Sequence, residues 1–410
     1  MQSPTPVRRS ILGKLSVCLL VLLLVLELIS KGIVYYVIGI EDSNYADHYI
    51  NDPKLRMITW TEDYTAHPYF GYESPTTRTS EHLLSEVGRG DFVIGILGGS
   101  VAGGFAEYLI RNPRHVESLR NVIPTFRDKT LRIVNLANGG YKQPQQFFVA
   151  AFFMDKLDLV INIDGFNDAT PAHLLPVYPL EFPTLSAQFY GRTSQGGVYP
   201  TIGRSARWIY KNMNNAPLSW KFPGLSWSSA YFLGWYYMHD LLYRTVKVSE
   251  SAYYAKEFAV NQSEALRNTS SKEVTEKLIA IWKKYTILED DLLRRRGGKL
   301  VYFFLQPNQY LKDSKPLSEQ EQRLAIDPLR LEGTHEMMTL LKAAAQDLHH
   351  SGVPSVDLTG IFASTKETVY KDNCCHLNGL GNQIMADAIV SNVVARQSAG
   401  ALPSLHRSGR

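Results

Sequence analysis

The chain has 410 residues, enough for one large domain with insertions or for two domains. Hydrophobic residues make up 45% and charged residues 20%, which provides a sizeable core and argues against wholesale disorder. The net charge is +4, and the first 40 residues hold four basic residues and one acidic residue, so about +1 is left for the rest. A body this close to neutral excludes proteins that bind nucleic acid through a basic surface.

The N-terminal segment has the composition of a membrane anchor. Residues 15–40 are apolar with few interruptions, and these 26 residues exceed the roughly 20 that a helix needs to cross a hydrocarbon core. No small-residue cleavage site follows the leucines, so a retained anchor is favoured over a removed signal peptide or a buried core helix. Basic residues precede the span and acidic residues follow it, so the positive-inside rule predicts residues 1–14 in the cytoplasm and the body in the periplasm or outside the cell.

The chain after the anchor begins as an irregular stretch and then alternates between strands and helices. Residues 41–90 are predicted to be an irregular lead-in, with the turn-rich stretch HPYFGYESP at 67–75. Short apolar runs then predict the strands Phe92–Leu97, Leu131–Leu136, Leu159–Ile163, Leu300–Leu305 and Val353–Leu358. Helical periodicity predicts the helices Gln145–Lys156, Val274–Leu293, Thr334–His350 and Gly379–Val394. This order indicates an α/β fold with a mostly parallel sheet and helices on both faces.

The alternation stops between about 171 and 270, where no single period is visible. Four of the six tryptophans lie in this stretch: Trp208, Trp220, Trp227 and Trp235. We interpret it as an insertion at the functional edge of the sheet, either a small self-packed subdomain or a lid or platform on which sugar rings stack. The α/β domain is then predicted to run from 91 to 395 around this insertion, with a C-terminal tail at 396–410.

The first predicted strand ends in the sequence ILGGSVAGG, residues 96–104, which places Ser100 among four glycines. A phosphate-binding P-loop needs a lysine where this chain has Gly104, and the dinucleotide-binding fingerprint lacks its middle glycine. The G-x-S-x-G turn of α/β-hydrolases lacks its last glycine, because Ala102 stands there. A catalytic Ser100 therefore requires a base from elsewhere in the chain, since a hydroxyl is a poor nucleophile until a neighbouring group takes its proton.

A candidate base lies in the sequence DNCCHLNG, residues 372–379, just before the last predicted helix. His376 follows Asp372 by four residues and Asn373 by three. A general base works best when a third group orients it, and Asp372 supplies a carboxyl group for that role. Acid and base in one short segment indicate a hydrolase architecture other than the α/β-hydrolase fold.

Four sequence blocks, in this order, resemble the SGNH (GDSL-type) hydrolase family over about half of the chain. The block GGS at 98–100 resembles the family's nucleophile block, and NLANGGYKQPQ at 135–145 resembles the second block, with Gly140 at its glycine. The block DGFND at 164–168 resembles the third, with Asn167 as the side-chain donor. The last block, D-x-x-H, is met approximately, because Asn373 stands at the position of the acid and Asp372 is one residue further from His376. Either the loop bulges so that Asp372 meets the imidazole, or Asn373 orients it, or the acid is weak or dispensable. The resemblance implies a flavodoxin-like, three-layer α/β domain.

The resemblance also implies roles for these residues. Ser100 would attack an ester carbonyl while His376 accepts the proton and later returns it, with Asp372 as the acid. The oxyanion hole would consist of the backbone N–H groups of Ser100 and Gly140 and the side-chain amide of Asn167. Each such donor is typically worth roughly 3–4 kcal/mol. Asp168 is expected to bond to nearby backbone rather than to act in catalysis.

The anchor, the four blocks and the insertion together predict a membrane-anchored extracytoplasmic serine esterase that removes an acetyl-like acyl group from a carbohydrate. Three alternatives stay open: an O-acyltransferase acting on a polysaccharide, a lipase or lysophospholipase, and a non-catalytic binding protein with the same fold. The expected partners are an acylated carbohydrate or lipid ester and the membrane, with no nucleic acid, and the oligomeric state is left open. No cofactor or metal is predicted, because Cys18, Cys374 and Cys375 form neither a disulfide framework nor a zinc-site spacing.

Overall fold

The structure is a computed structural model of the chain. It describes residues 6–38, 65–169, 228–238, 240–242, 245, 271–312, 314–326 and 331–399. The chain divides into two compact units, one containing Met1–Thr61 and Tyr199–Tyr253 and the other containing Glu62–Val198 and Tyr254–Arg410. Most of the predicted insertion lies outside the described residues, as do Trp208, Trp220 and Trp227 and the acidic residues that follow the anchor.

The first unit contains the apolar N-terminal helix. Helix α1 runs from Pro6 to Ile33 and continues as a π-helical segment, Val34–Ile38. Within it, Ser16–Val37 is long and apolar enough to cross a membrane, and most of its leucine and valine side chains are exposed on the protein surface. A helix of spanning length at the predicted place is thus confirmed, while the side on which each end lies stays a prediction.

A second helix of this unit comes from the predicted insertion. Its described residues are 229–238 and 240–242, and we call it the insertion helix. Ser228 and Ser229 at its start are buried, whereas Tyr237, Met238 and Leu241 near its other end are exposed.

The second unit is built around a parallel sheet of five strands, which are β3 (Asp91–Gly98), β4 (Thr130–Asn135), β5 (Leu159–Asp164), β6 (Leu300–Leu305) and β7 (Ser355–Asp357). They lie side by side in the order β4-β3-β5-β6-β7. A mostly parallel sheet in an α/β unit is therefore confirmed. Strand β7 is shorter than the predicted Val353–Leu358, because it pairs with β6 only over Ser355–Asp357, opposite the end of β6 at Leu305.

Helices cover both faces of this sheet. They are α2 (Pro75–Ser85), α3 (Ser100–Arg111), α4 (Gln145–Phe153), α5 (Ser271–Asp290), α6 (Glu319–Leu324), α7 (Leu331–His350) and α8 (Gly379–Ser398). Shorter helical turns occur at Arg114–Glu117, Ser118–Asn121, Pro124–Phe126, Met154–Lys156, Phe166–Ala169 and Asp291–Arg296. Side chains of β3 alternate between two cores: Ile94 and Ile96 pack in the cluster that includes Phe105 of α3, and Val93 packs in the cluster that includes Leu341 of α7.

The last helix is longer than its sequence pattern predicts. Helix α8 continues to Ser398, past the predicted end at Val394 and into the predicted tail at 396–410. Gln397 explains the extension, because its Nε2 donates to the Tyr302 hydroxyl at 2.8 Å and so holds the final turn against β6.

The lead-in at 41–90 differs from the predicted irregular segment over its described part. Strands β1 (Thr65–His67) and β2 (Gly71–Glu73) form an antiparallel hairpin, and α2 follows directly. Ser74 caps α2 by accepting a hydrogen bond from the Thr77 N–H at 3.2 Å. The Ser80 hydroxyl of α2 accepts from the backbone N–H of Asn135 at 3.1 Å, so this segment covers the sheet edge and belongs to the α/β unit.

Candidate active site

Loops at the carboxyl ends of three adjacent parallel strands carry three of the predicted site residues. Ser100 begins α3 directly after β3, Gly140 follows β4, and Asn167 follows β5. Strand β3 lies between β4 and β5, so the chain leaves β3 toward one side of the sheet and later returns to the other. Ligands of open α/β sheets bind in the crevice outside the strand ends at such a point.

Ser100, His376 and Asp372 form a continuous chain of hydrogen bonds. The Nε2 atom of His376 lies 2.7 Å from Ser100 Oγ, and its Nδ1 lies 2.5 Å from Asp372 Oδ2. The tautomer that satisfies both contacts has a proton on Nδ1, which donates to the carboxylate and leaves Nε2 to accept from the serine hydroxyl. His376 is only 9% exposed, so little water competes for either nitrogen.

Asp372 reaches the imidazole because its loop folds around the carboxylate. Its Oδ1 accepts hydrogen bonds from the backbone N–H groups of residues 374–376, at 3.0, 3.2 and 3.3 Å, which leaves Oδ2 for the imidazole. The backbone carbonyl of Asn373 instead accepts from the Tyr310 hydroxyl at 2.6 Å. Of the two residues that the sequence left open, Asp372 is the one that contacts His376.

Hydrogen bonding outweighs burial in setting the charges of this pair. Burial by itself raises the pKa of Asp372. The hydrogen bonds from His376 and from the backbone lower the pKa by more than burial raises it, so it lies below its ordinary value. Burial lowers the pKa of His376, but the hydrogen bond to Asp372 and neighbouring negative charge raise it above its ordinary value. The carboxylate therefore stays ionised at neutral pH, and the imidazole is a stronger base than an isolated histidine.

Two glycines before Ser100 are required by close approaches of other atoms. Gly98 has a φ of +134°, and a Cβ at this position would lie 2.2 Å from the backbone oxygen of Ile163. A Cβ at Gly99 would lie 2.1 Å from Nδ2 of Asn167. The bare backbone therefore lets the Asn167 amide approach the start of α3, beside Ser100.

The loop that contains Gly140 is joined to the loop that contains Asn167. Gly140 is buried and has a φ of +85°, and the carbonyl of the next residue, Tyr141, accepts from Asn167 Nδ2 at 2.9 Å. Asp168 Oδ1 accepts from the backbone N–H of Gln143 at 2.9 Å, so the expectation that Asp168 bonds to backbone is confirmed. The two candidate donor segments are thus tied to each other.

Sequence reasoning missed the residues that hold the Gly140 loop from the lead-in. The Tyr72 hydroxyl donates to the backbone oxygen of Gly139 at 2.7 Å. Asn138 Oδ1 accepts from the Ser74 N–H at 3.0 Å and from the Thr77 hydroxyl at 2.8 Å. A usable signal was present in HPYFGYESP, because Ser74 and the proline after it have the pattern of a helix start.

A buried cluster of titratable side chains lies next to these loops. Glu289 accepts hydrogen bonds from Asn162 Nδ2 at 3.0 Å and from Gln143 Nε2 at 2.9 Å. Burial raises the pKa of Glu289 to about 7 and that of Asp168 to about 6, and it lowers the pKa of Lys142 to about 7. Burial therefore shifts each of these groups toward its neutral form, in contrast to Asp372, whose pKa is lowered.

Among the described residues, two groups of side chains have donor atoms close enough together to hold a metal ion. They are Cys374, Cys375 and His376, and His67, Glu73 and Glu81. In the first group, both nitrogens of His376 already contact Ser100 and Asp372. In the second group, Arg78 already supplies a cation to Glu73, with Nε 3.4 Å from Oε1.

No protein-family model matches the chain, and no curated protein matches it in sequence. The chemistry of the site is accordingly inferred from the geometry of its own residues.

Proposed function

We propose that the protein is a membrane-anchored serine esterase of the SGNH (GDSL) type whose catalytic unit lies outside the cytoplasm. The observation that carries the proposal is the Ser100–His376–Asp372 chain of hydrogen bonds at the carboxyl edge of a parallel sheet. A nucleophile, a base and a group that orients the base are the parts that covalent acyl transfer requires.

The reaction begins with attack by Ser100 Oγ on the carbonyl carbon of an ester. The hydroxyl proton passes to Nε2 of His376, which then donates it to the departing alcohol oxygen as the carbon–oxygen bond breaks. Asp372 stays ionised and stabilises the imidazolium that forms between these steps. A water molecule, deprotonated by His376, next attacks the acyl-enzyme; the acid is released and Ser100 regains its proton.

Negative charge on the former carbonyl oxygen needs donors that are already in place. The backbone N–H of Ser100 belongs to the first turn of α3, where helix N–H groups have no partner within the helix. The backbone N–H of Gly140 and the side chain of Asn167 are the other two proposed donors. Asn167 Nδ2 carries two hydrogens, and one bond to the Tyr141 carbonyl leaves the second for substrate.

The proposed substrate is a small O-acyl ester, acetyl-like, on a carbohydrate. The apolar N-terminal helix supports a location at the membrane, and the part of the insertion before residue 228 contains Trp208, Trp220 and Trp227, whose side chains are suited to sugar rings. The same acyl-enzyme can be resolved by a sugar hydroxyl in place of water, which would make the protein an O-acyltransferase. Product analysis with an acetylated oligosaccharide separates the two, because hydrolysis releases acetate and transfer gives a newly acetylated acceptor.

The proposal is tested with a fluorophosphonate probe on the full chain in detergent, followed by mapping of the adduct by mass spectrometry. We expect an adduct on Ser100 that disappears in His376→Ala and persists in Ser85→Ala, a control at an exposed serine of α2. A folded sample that forms no adduct at Ser100 would refute an activated nucleophile and favour a binding protein.

A further inference from the structure

Glu27 lies near the middle of the apolar span Ser16–Val37, eleven residues after its start and ten before its end. Its carboxylate binds the beginning of the insertion helix. Oε2 accepts from the Ser228 hydroxyl at 2.7 Å and from the Ala230 N–H at 3.2 Å, and Oε1 accepts from the Ser229 N–H at 2.5 Å. A carboxylate at the centre of a bilayer is costly unless it is paired. Here it has three donors and the positive end of a helix dipole.

These hydrogen bonds determine the depth of the insertion helix. Groups in direct contact with Glu27 lie at its depth, so a membrane crossed by α1 contains the start of the insertion helix near its midplane. Ser228 is 8% exposed and Ser229 is 1% exposed. Backbone that precedes a helix is tolerated at membrane depth where protein covers it, and these two residues meet that condition.

The length and composition of the insertion helix match half of a bilayer. Residues 229–238 contain no Asp, Glu, Lys, Arg or His, and at 1.5 Å per residue these ten residues extend about 15 Å. Half of a hydrocarbon core of roughly 30 Å has the same thickness. In the sequence, His239 and Asp240 come directly after these ten residues, and three aromatic residues, 235–237, precede them. Aromatic side chains concentrate at the interface between the membrane and water.

We propose that the insertion helix is a second membrane-embedded segment, which begins at the midplane on Glu27 and rises to the membrane surface. Lipid is the partner of its exposed face, on which Tyr237, Met238 and Leu241 are 52%, 47% and 65% exposed. This inference rests on the anchor in the proposed function and is independent of its chemistry.

The test compares single cysteines in the full chain, with the three native cysteines replaced by serine. Open membrane fragments, which expose both faces, are treated with a membrane-impermeant maleimide. Gly234→Cys and Leu241→Cys are matched positions, because both residues are exposed on the protein, and a Cβ at Gly234 meets nothing within 4 Å. Position 234 lies about 8 Å from the midplane along the helix and position 241 about 18 Å. Leu23→Cys, at an exposed position of α1, reports on the anchor itself.

We expect Leu241→Cys to react at least tenfold faster than Gly234→Cys and Leu23→Cys in membranes, and all three to react alike in denaturing detergent. Equal labelling at 234 and 241 with Leu23→Cys protected would overturn the second membrane segment and leave the anchor intact. Labelling at all three positions would overturn both. Neither result bears on the fluorophosphonate adduct at Ser100, so failure of this inference and failure of the proposed chemistry are distinguishable.

A second measurement tests the role of Glu27. In the Gly234→Cys chain, Glu27→Leu keeps the span apolar and removes the acceptor of the three hydrogen bonds, so labelling should rise toward that of Leu241→Cys. Glu27→Gln keeps one acceptor oxygen and is the matched control, for which protection should persist. Unchanged protection in Glu27→Leu would overturn Glu27 as the residue that holds the insertion helix.

Discussion

Asp372 and Glu289 are both carboxyl groups largely removed from water in the same unit, and their pKa values are shifted in opposite directions. The pKa of Asp372 lies below its ordinary value, whereas that of Glu289 is raised to about 7. Asp372 accepts from three backbone N–H groups and from His376, a group that can itself become positive. Glu289 accepts from two neutral amides and lies near a second acid, Asp290.

The comparison shows that burial alone does not decide whether a carboxyl group is charged. Burial acts in the same direction on Asp372 and Glu289, and the number and charge of the donors decide the result. Asp372 is held ionised, as the proposed role of His376 as a base requires. Glu289 has a raised pKa, and its contacts are to Asn162 and Gln143 rather than to Ser100 or His376.

The largest expected effect separates these two carboxyl groups by activity. Asp372→Asn should lower kcat/KM for an activated acetyl ester about 10⁴-fold, because the amide no longer orients the imidazole or stabilises its charged form. Glu289→Gln changes a buried group that touches neither Ser100 nor His376 and should cost less than about threefold in rate. Steady-state kinetics on folded samples measure both. Similar losses of kcat/KM in the two variants would show that Asp372 and Glu289 do not differ in their importance for activity.

The next effect concerns Asn167, the proposed side-chain donor to the oxyanion. Asn167→Ala should reduce kcat by about 10²- to 10³-fold with little change in KM, because the amide is proposed to bind charge that develops only in the transition state. Asn112→Ala, at an exposed position after α3, is the control and should keep full activity. A change confined to KM would contradict the oxyanion role.

The pH dependence of stability tests the raised pKa of Glu289. The pKa of Glu289 is raised from 4.5 to about 7 in the folded protein, so the stability associated with its protonated form is complete below pH 4.5 and is lost as pH rises toward 7. The free energy of unfolding should fall by roughly 3 kcal/mol over this range on account of this group. Urea unfolding in detergent at pH 5 and pH 8 should show a smaller fall in Glu289→Gln. An unaltered slope would show that Glu289 is not the group responsible.

The pH dependence of activity provides a further test of the Asp372–His376 pair. His376 must be neutral to accept a proton, and its pKa is raised, so kcat/KM should fall on the acid side of a midpoint that lies above the ordinary value for histidine. Removing the carboxylate removes a cause of the rise, so residual activity of Asp372→Asn should have its acid limb at lower pH. A limb at the same pH in both proteins would contradict the coupling.

The smallest expected effect tests whether the lead-in positions the Gly140 loop. Tyr72→Phe removes the hydroxyl that donates to Gly139 and should lower kcat about three- to tenfold, in line with the roughly 1 kcal/mol of one neutral hydrogen bond. KM should stay constant, because the loop is proposed to bind the transition state. Tyr69→Phe, at an exposed neighbouring tyrosine, is the control. Equal kinetics for the two variants would show that the hydrogen bond from Tyr72 to Gly139 is not needed for activity.

Local patterns in the sequence were sufficient for the sheet and for the outline of the site. Apolar runs of strand length predicted all five strands of the parallel sheet, and Leu300–Leu305 has the bounds found in the structure. Each run reports on its own burial, so a short window contains the signal. Ser100 and His376 were singled out for the same reason, because a glycine-rich turn and a polar loop before a helix are local features.

The sequence by itself determined the α/β alternation, the apolar N-terminal helix and the candidate nucleophile and base. Only the tertiary structure decided that Asp372 and not Asn373 meets the imidazole, that Tyr72 holds the Gly140 loop, and that Glu27 binds the start of the insertion helix. Tyr72 and Gly139 are 67 residues apart, and Glu27 and Ser229 are 202 apart. Contacts of this kind depend on which chain segments the topology brings together, and no local periodicity records them.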